Sequence, residues 1–592
     1  MSKKIVLAIC IALLMLCANY AAGVLLFLSY KQSIGSASLF TIEKAYFAYT
    51  DEAVRSKILG LLAISVLIFV AVPIGIYFSI KSKTGKKDLF GKARFANKKD
   101  LQQEKLDAPK GIVLGKFNDE LIRLGGYEFV LLAAPTRTGK GVGFCVPNLL
   151  QFTDSAVVLD IKGENYNLTS EFRRRYMGNE IVYFNPFSEN THRWNPLSYV
   201  SKDPNYRAND LMALATIIYP VNDKDPFWSD AAKNLFIGLG LLVLETPELP
   251  QTIGEILRQG SGKGMPIEGY IKNIVSLREN SAFPLSMACR DCLNRFLNSG
   301  EQAIKGVQAT FGASLNPWSN AVIDKATSGD DFDLRDVRKK KMTIYLNIPA
   351  GEILQAASII KLFFSQLINE NVKELPEQNP ELKYQCLLLM DEFTAMGKVE
   401  IIAKGVGYMA GYNMRLALVI QDSTQLAAVY GKEDAHNIIS NMGAVIYFTP
   451  SQYEDAEKYS KMIGNETVDS VSKSRNQGGL VDVKAGDSGS NSTSQQSRAL
   501  MLPQELLQLS KDLELIVRSG IPVIKAEKIK YFSDKYFSER FTAVPMHSVM
   551  IGNEQRKVPI PTVLPVGNWD SYHAEVSNSD FYASIFKSNG AA

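Results

Sequence analysis

The sequence predicts an α/β protein: a largely parallel sheet, interrupted by an all-helical insertion and preceded by a membrane hairpin. Three observations predict it. From about residue 90, short apolar runs alternate with helix-like stretches, the pattern of strands joined by crossovers. Several of those runs are apolar throughout rather than alternating, as strands covered on both faces are. Between about residues 200 and 330 the strand signal disappears and helical periodicity replaces it.

The elements follow in chain order. Ile5 to Leu28 is almost wholly apolar, with Asn19 the polar exception. Ile58 to Ile80 is a second run, broken by Ser65, Pro73, Ser79 and two glycines. At about 1.5 Å per residue each crosses about 30 Å of hydrocarbon. Lys3 and Lys4 precede the first run. Lys81, Lys83, Lys86, Lys87, Lys92, Arg94, Lys98 and Lys99 follow the second, against Asp88 alone. Positive-inside bias therefore puts both ends of a 1–89 membrane domain in the cytoplasm and the 31–57 loop outside. The competing reading is a signal peptide cut near Ala18, Ala21 or Ala22. The apolar run continues past that site, and its removal leaves the second span badly oriented.

The cytoplasmic part is expected to form a nucleotide-binding domain from 90–199 and 331–545, an inserted all-α domain over 200–330, and a polar tail over 546–592. Its predicted strands are Tyr127–Ala133, Ser155–Ile161, Glu180–Phe184, Met342–Ile348, Tyr384–Met390, Arg415–Gln421, Ala444–Phe448 and Leu513–Val517. In the insertion Leu211–Ile218, Ala231–Leu244, Ile253–Leu257, Ile267–Leu277 and Cys289–Leu297 read as helices. Residues 466–498, rich in Ser, Gly, Asn and Gln, read as a surface loop.

Composition argues against a broad basic surface and against a disulfide framework. The formal charge is +4, so no broad polyelectrolyte surface marks a nucleic-acid binder. The cysteines lie in the first span (Cys10, Cys17), beside a loop (Cys145), in a strand (Cys386) and in a lone C-x-x-C (Cys289, Cys292), which is no disulfide framework. Four histidines in the chain, none near that pair, leave zinc the weaker reading beside reduced thiols.

The chemistry concentrates where strands end. After Phe129 to Ala133 the chain enters Ala134-Pro135-Thr136-Arg137-Thr138-Gly139-Lys140-Gly141, and a helix-like stretch from Gly143 to Leu150 follows. This is the context of a phosphate-binding loop: backbone N–H groups and a helix N-terminus face the anion, and the lysine reaches the β/γ-phosphates of ATP. Ala134 stands at the pattern's first glycine and Gly141 at its hydroxyl position, so the usual Mg2+ ligand is missing. Tyr384 to Met390 ends in Asp391-Glu392. Two like charges resist desolvation side by side, but beside a nucleotide Asp391 holds magnesium and Glu392 polarises the attacking water.

Other strand ends carry weaker signals. Asp160, Lys162 and Glu164 lie either near the nucleotide or in an ordinary polar turn. Gln421 ends its strand where an amide feels the γ-phosphate. Arg415 opens the same strand, as a residue offered to a neighbouring subunit would. The structural alternatives are a buried amide for Gln421 and a salt bridge for Arg415. Arg338-Lys339-Lys340-Lys341 reads as a solvated strand entrance or, less simply, as a contact to phosphate backbones.

Taken together these stretches resemble the TraG family of type IV secretion coupling proteins, relatives of FtsK-type DNA motors. The resemblance covers most of the chain. It is carried, in family order, by the membrane hairpin, the Ala134–Gly143 loop, Val157–Asn165 and Arg193-Trp194-Asn195-Pro196-Leu197. Asp225-Pro226-Phe227-Trp228, Leu388–Phe393, Ala410-Gly411-Tyr412-Asn413 through Leu426, and Arg498–Pro503 complete it. The resemblance implies a RecA-like P-loop NTPase with an inserted substrate-contacting domain, forming a homo-hexamer in the bacterial inner membrane. It implies partners as well: single-stranded DNA with its relaxase, effector proteins, or both, and the other components of the secretion system. The family often carries Gly-Lys-Gly, so Gly141 marks a subtype; whether Thr138 or only water completes the magnesium shell stays open. The alternative function is a nucleotide-binding receptor that recruits substrate without pumping it.

Overall fold

The computed structural model describes residues 3–71, 89–221, 225–279, 281–474, 490–551 and 554–563. The chain divides into two units, Met1–Phe90 with Asp469–Gln495, and Gly91–Val468 with Gln496–Ala592.

In the first unit a helix runs from Lys3 to Ser29, a short one from Thr41 to Ala48, and a third from Glu52 to Val66 that ends in a π turn, Leu67–Ala71. Ala22, Leu26, Ile42 and Ile58 pack together. Asn19, the polar residue in the first apolar run, donates its amide to Leu39 O at 2.8 Å and to Glu43 Oε1 at 2.6 Å. Ala12–Ser29 is long and apolar enough to cross a membrane. The expected second span begins in the third helix, while its residues 72–80 and Lys81, Lys83, Lys86 and Lys87 lie outside the described residues.

The strands in chain order are β1 (Ile112–Phe117), β2 (Glu120–Leu124), β3 (Phe129–Ala133), β4 (Ser155–Asp160), β5 (Glu180–Phe184), β6 (Met342–Asn347), β7 (Cys386–Met390), β8 (Met414–Ile420), β9 (Met442–Tyr447), β10 (Asn465–Ser474), β11 (Ser490–Ala499), β12 (Leu513–Val517), β13 (Ile524–Glu527), β14 (Met546–Ile551) and β15 (Glu554–Pro559). Eleven of them form one mixed sheet in the order β2-β1-β13-β12-β9-β3-β8-β7-β4-β6-β5. From β9 to β5 every neighbouring pair is parallel, and β12, β13, β1 and β2 add an antiparallel wing. The parallel strands β3, β4, β6, β7 and β8 are buried along their whole length, which is why their sequences are largely apolar, with Ser155, Asp160, Thr343, Asn347 and Arg415 the polar exceptions.

All eight expected strands form, each within two residues of its expected ends. Two regions differ. Residues 465–474 and 490–499 are paired strands rather than a loop. The tail expected after residue 545 opens with the antiparallel hairpin β14–β15, in which Met546 faces Pro559 and Val549 faces Arg556.

Between the neighbouring strands β5 and β6 the chain is helical, including Pro204–Ile218, Pro226–Leu244, Ile253–Gly260, Ile267–Glu279, Met287–Leu297 and Glu301–Leu315. The ends of this excursion are tied at its base. Arg193 donates to both carboxylate oxygens of Asp331, and the Arg193 carbonyl accepts from Asp331 N. Trp194, fully buried, meets Phe184 and Phe363 edge-on at 5.7 and 5.1 Å. The helices therefore share one continuous apolar core with a face of the sheet instead of closing a core of their own. Pro226–Leu244 and Ala350–Asn371 are also apolar and long, with 67% and 56% of those windows buried in this core.

Candidate nucleotide site

Register brings the sequence-distant candidates together. β8 lies between β3 and β7, with Ala133 paired to Ile420 and Met390 paired to Leu418. β4 continues the row, Leu159 pairing with Met390. The segments that leave these four parallel strands thus emerge at one edge: the Ala134–Gly141 loop, Gln421, Asp391-Glu392 and the turn after Asp160. In parallel sheets this edge is where ligands bind.

The loop is built to bend. Ala134 N donates to Ile420 O at 2.9 Å, fixing the loop's start on β8. Arg137 and Gly139 have φ of 63° and 86°. Glycine takes that region freely, whereas at Arg137 it is a local strain of the kind found at ligand clamps. The Thr138 hydroxyl donates to Pro135 O at 2.6 Å, closing the turn. Lys140 is helical, and the chain runs on through a π turn, Gly141–Cys145, into the helix Val146–Gln151. A Cβ at Gly141 would meet nothing within 4 Å, so no packing forbids a side chain there.

Lys140 reaches across to the end of β7. Its Nζ donates to Glu392 Oε1 and lies 3.8 Å from Asp391 Oδ1. Gln421 bridges the two sides: its amide donates to Glu392 Oε2 at 3.4 Å, and its Oε1 accepts from the Thr136 hydroxyl at 3.5 Å. Glu392 itself has a left-handed backbone, φ 59° and ψ 50°, which turns its carboxylate away from the line of β7. Lys140, Glu392, Gln421 and Thr136, drawn from three separate segments, form one polar cluster.

Burial pushes the Asp391 carboxyl above the usual range, with Lys140 pulling it back and Glu392 pushing it further up. Asp391 Oδ1 is buried and accepts no hydrogen bond among the described residues. An orphaned carboxylate oxygen beside a lysine, at the edge where phosphates would lie, fits a hard divalent cation such as Mg2+.

Asp160 has a structural task. Its carboxylate accepts from Tyr166 N at 2.8 Å and from the Asn165 amide at 3.4 Å, capping the helix Glu164–Met177. Burial pushes its pKa up to about 6. Lys162 and Glu164 are exposed and close enough to act on Asp391. Of the basic run, Arg338 is buried and donates to Asn371 Oδ1, Glu374 O and Tyr412 O, while Lys340 pairs with Glu180 and Asp336. Lys339 and Lys340 stay exposed, so the run is a partly solvated strand entrance anchored by Arg338.

Arg415 lies apart from this cluster. It opens β8, about 20 Å of strand from Gln421 at about 3.3 Å per residue. Its side chain turns inward rather than toward a neighbour: the residue is 1% exposed. The guanidinium donates to Glu128 O, Leu124 O and Gly125 O, the carbonyls of the turn before β3. Desolvation lowers its pKa to about 10. Its Nε and one terminal nitrogen are engaged by these fixed carbonyls, so the buried side chain clasps the turn before β3.

Comparison with known proteins agrees with this geometry. The family described as "Type IV secretory system Conjugative DNA transfer" matches residues 83–554. Protein VirD4 of Rhizobium radiobacter is 29% identical over 467 residues, covering 76% of this chain and 65% of that protein. Conjugal transfer protein TraG of Escherichia coli is 27% identical over 563 residues, covering 86% of each. The chain spans 65% and 63% of the length of the VirD4 proteins of Rhizobium radiobacter and Rhizobium rhizogenes. Among solved structures, the bacterial conjugative coupling protein TrwB superposes with a TM-score of 0.54 at 14% identity, over 75% of this chain and 96% of that one. TrwB in complex with ADP and Mg2+ gives 0.53 at 13% identity over the same shares. The fold is thus the RecA-like α/β fold of TrwB, and with four fifths of its length matched by the family this chain belongs to the conjugative DNA transfer proteins of type IV secretory systems, the coupling proteins.

Proposed function

We propose that the chain is an inner-membrane ATPase that binds ATP with Mg2+ at the Lys140 loop and uses hydrolysis to drive substrate toward a secretion channel. The observation that carries this reading is the Lys140–Glu392–Gln421 cluster, with the orphaned Asp391 oxygen beside it. A receptor that merely binds nucleotide needs the lysine but not a carboxylate poised beside it.

The residues divide the work as follows. Lys140 exchanges Glu392 for the β/γ-phosphates, which frees the carboxylate. Glu392 then takes a proton from, or orients, the attacking water, and Gln421 holds that carboxylate in place. Asp391 would hold Mg2+, which when bound would neutralise phosphate charge. With Arg415 committed elsewhere, Arg137 is the next arginine to test; it is exposed on the loop. Relatives support the nucleotide and the ion, since TrwB has been solved with ADP and Mg2+ and with an ATP analogue.

The proposed partners are single-stranded DNA with its relaxase, effector proteins, or both, contacted through the helical segment between β5 and β6, and the proposed assembly is a homo-hexamer in the inner membrane. Both ends of the membrane hairpin would lie in the cytoplasm. The test is phosphate release by the full-length protein and its Glu392→Gln variant, with and without single-stranded DNA. Equal rates would remove hydrolysis at this site from the account.

A further inference from the structure

The segment after β13 forms a wall beside the phosphate loop. It passes so near that a Cβ at Gly143 would lie 3.3 Å from Ile529 O and 3.5 Å from the Phe448 ring. Ile529, Phe537 and Phe541 pack with Val146 and Leu150 of the helix that leaves the loop. The wall is therefore anchored to the same helix that presents Lys140.

Beyond this contact a cleft of about 900 Å³ opens. Gly141, Val142 and Asp391 stand on its phosphate side, Glu164 on its polar flank, and Tyr531 and Phe532 on the far side under the hairpin β14–β15. Its volume lies within the range of small-molecule sites, roughly 300–1,000 Å³. Tyr531 is held from behind by Phe541, ring centres 4.8 Å apart, and meets Phe532 edge-on at 5.5 Å. Phe532 is 57% exposed, a large apolar ring left at the cleft mouth.

We propose that this cleft seats the base and ribose of the nucleotide, with Tyr531 and Phe532 as the surface on which a flat heteroaromatic base lies. The proposal rests on the reading of Lys140 and Asp391 as the phosphate end. A triphosphate held there must leave its nucleoside to one side of the loop. The Gly141–Val142 side is open, since neither the missing side chain at Gly141 nor any neighbour within 4 Å fills it. Aromatic faces accept bases without needing a hydrogen-bond pattern, and beside them the lining mixes Val549, Val558 and Pro559 with His547, Arg556 and Lys557.

The experiment measures equilibrium binding of ATP and, separately, of inorganic tripolyphosphate to the full-length protein in detergent. Phe532→Ala, at an exposed position, should fold; it is expected to weaken ATP about tenfold and leave tripolyphosphate unchanged, with Phe532→Tyr restoring ATP. Lys140→Ala is expected to weaken both ligands. Wild-type ATP affinity in Phe532→Ala, with Lys140→Ala defective, would overturn the cleft and leave the phosphate loop standing. Equal weakening of both ligands by Phe532→Ala would also overturn it, because a base-stacking ring has no reason to touch tripolyphosphate. Unimpaired binding of both by Lys140→Ala would remove the phosphate loop, and the cleft proposal with it.

Discussion

Replacing Glu392 by Gln should do two opposite things at once. Lys140 is engaged by Glu392, and the two side chains are 13% and 22% exposed. Phosphates must displace that carboxylate before the lysine can serve them. An exposed ion pair is worth about 0–1 kcal/mol and a hydrogen bond to a buried charge about 1.5–3. For this partly buried pair about 1–2 kcal/mol is the reasonable cost, or about 5- to 30-fold in Kd. Gln keeps the shape, the Gln421 contact and the same tolerance for the left-handed backbone, but not the charge. Glu392→Gln should therefore bind ATP about 5- to 30-fold more tightly. Loss of the water-activating carboxylate should lower turnover by about 10²–10⁴. Equilibrium titration with ATP and steady-state phosphate release on the same preparation measure both. Weaker binding together with wild-type turnover would refute the reasoning, because it would make the Lys140–Glu392 pair a support of the site and not a competitor of the substrate.

Three further outcomes are expected. Arg415→Ala should cost about 3 kcal/mol of stability by orphaning the Glu128 and Leu124 carbonyls, seen as a lower melting temperature, and mixing with Lys140→Ala subunits should restore no activity. Rescue in mixed oligomers would return Arg415 to an interface role. Asp160, with its pKa raised from 3.8 to about 6 by burial, contributes stability below pH 4 that is lost as pH rises through 6, up to about 3 kcal/mol. Asp160→Asn should thus melt higher than wild type at pH 7.5 and no higher at pH 4; a gap that widens on acidification contradicts this. Ser36→Cys, in the exposed turn between the first two helices, should react with a membrane-impermeant thiol reagent from outside the cell. Reaction only in inside-out vesicles would reverse the hairpin.

What was legible followed from burial. Strands covered on both faces are mostly apolar, so β3, β4, β6, β7 and β8 announce themselves, and a charge at their ends is conspicuous. Asp391, Glu392 and Gln421 stand out that way, and Lys140 by the phosphate-loop pattern that follows β3. The antiparallel wing was not. β1 and β2 join through Asn118-Asp119, both with positive φ (51° and 64°), a tight turn without the glycine that usually signals it. β13 is four residues of alternating burial, too short for a period to stand out. Arg415 shows the other limit. Sequence placed it at a strand entrance, but only the fold shows the Leu124–Glu128 carbonyls closing over it. The wall of Tyr531 and Phe532 escaped for a similar reason. Its residues form no long element, and its meaning comes from Ile529 lying against Gly143.

The central claim is hydrolysis at the Lys140 loop, and one measurement tests it most directly. Full-length wild-type protein and Lys140→Ala, purified alike, are compared for Mg2+-dependent release of phosphate from ATP. The account predicts release by the wild type, loss of it on chelation of Mg2+, and none above background in Lys140→Ala, because the ammonium that should neutralise the β/γ-phosphates is gone. Equal release by both proteins would contradict it.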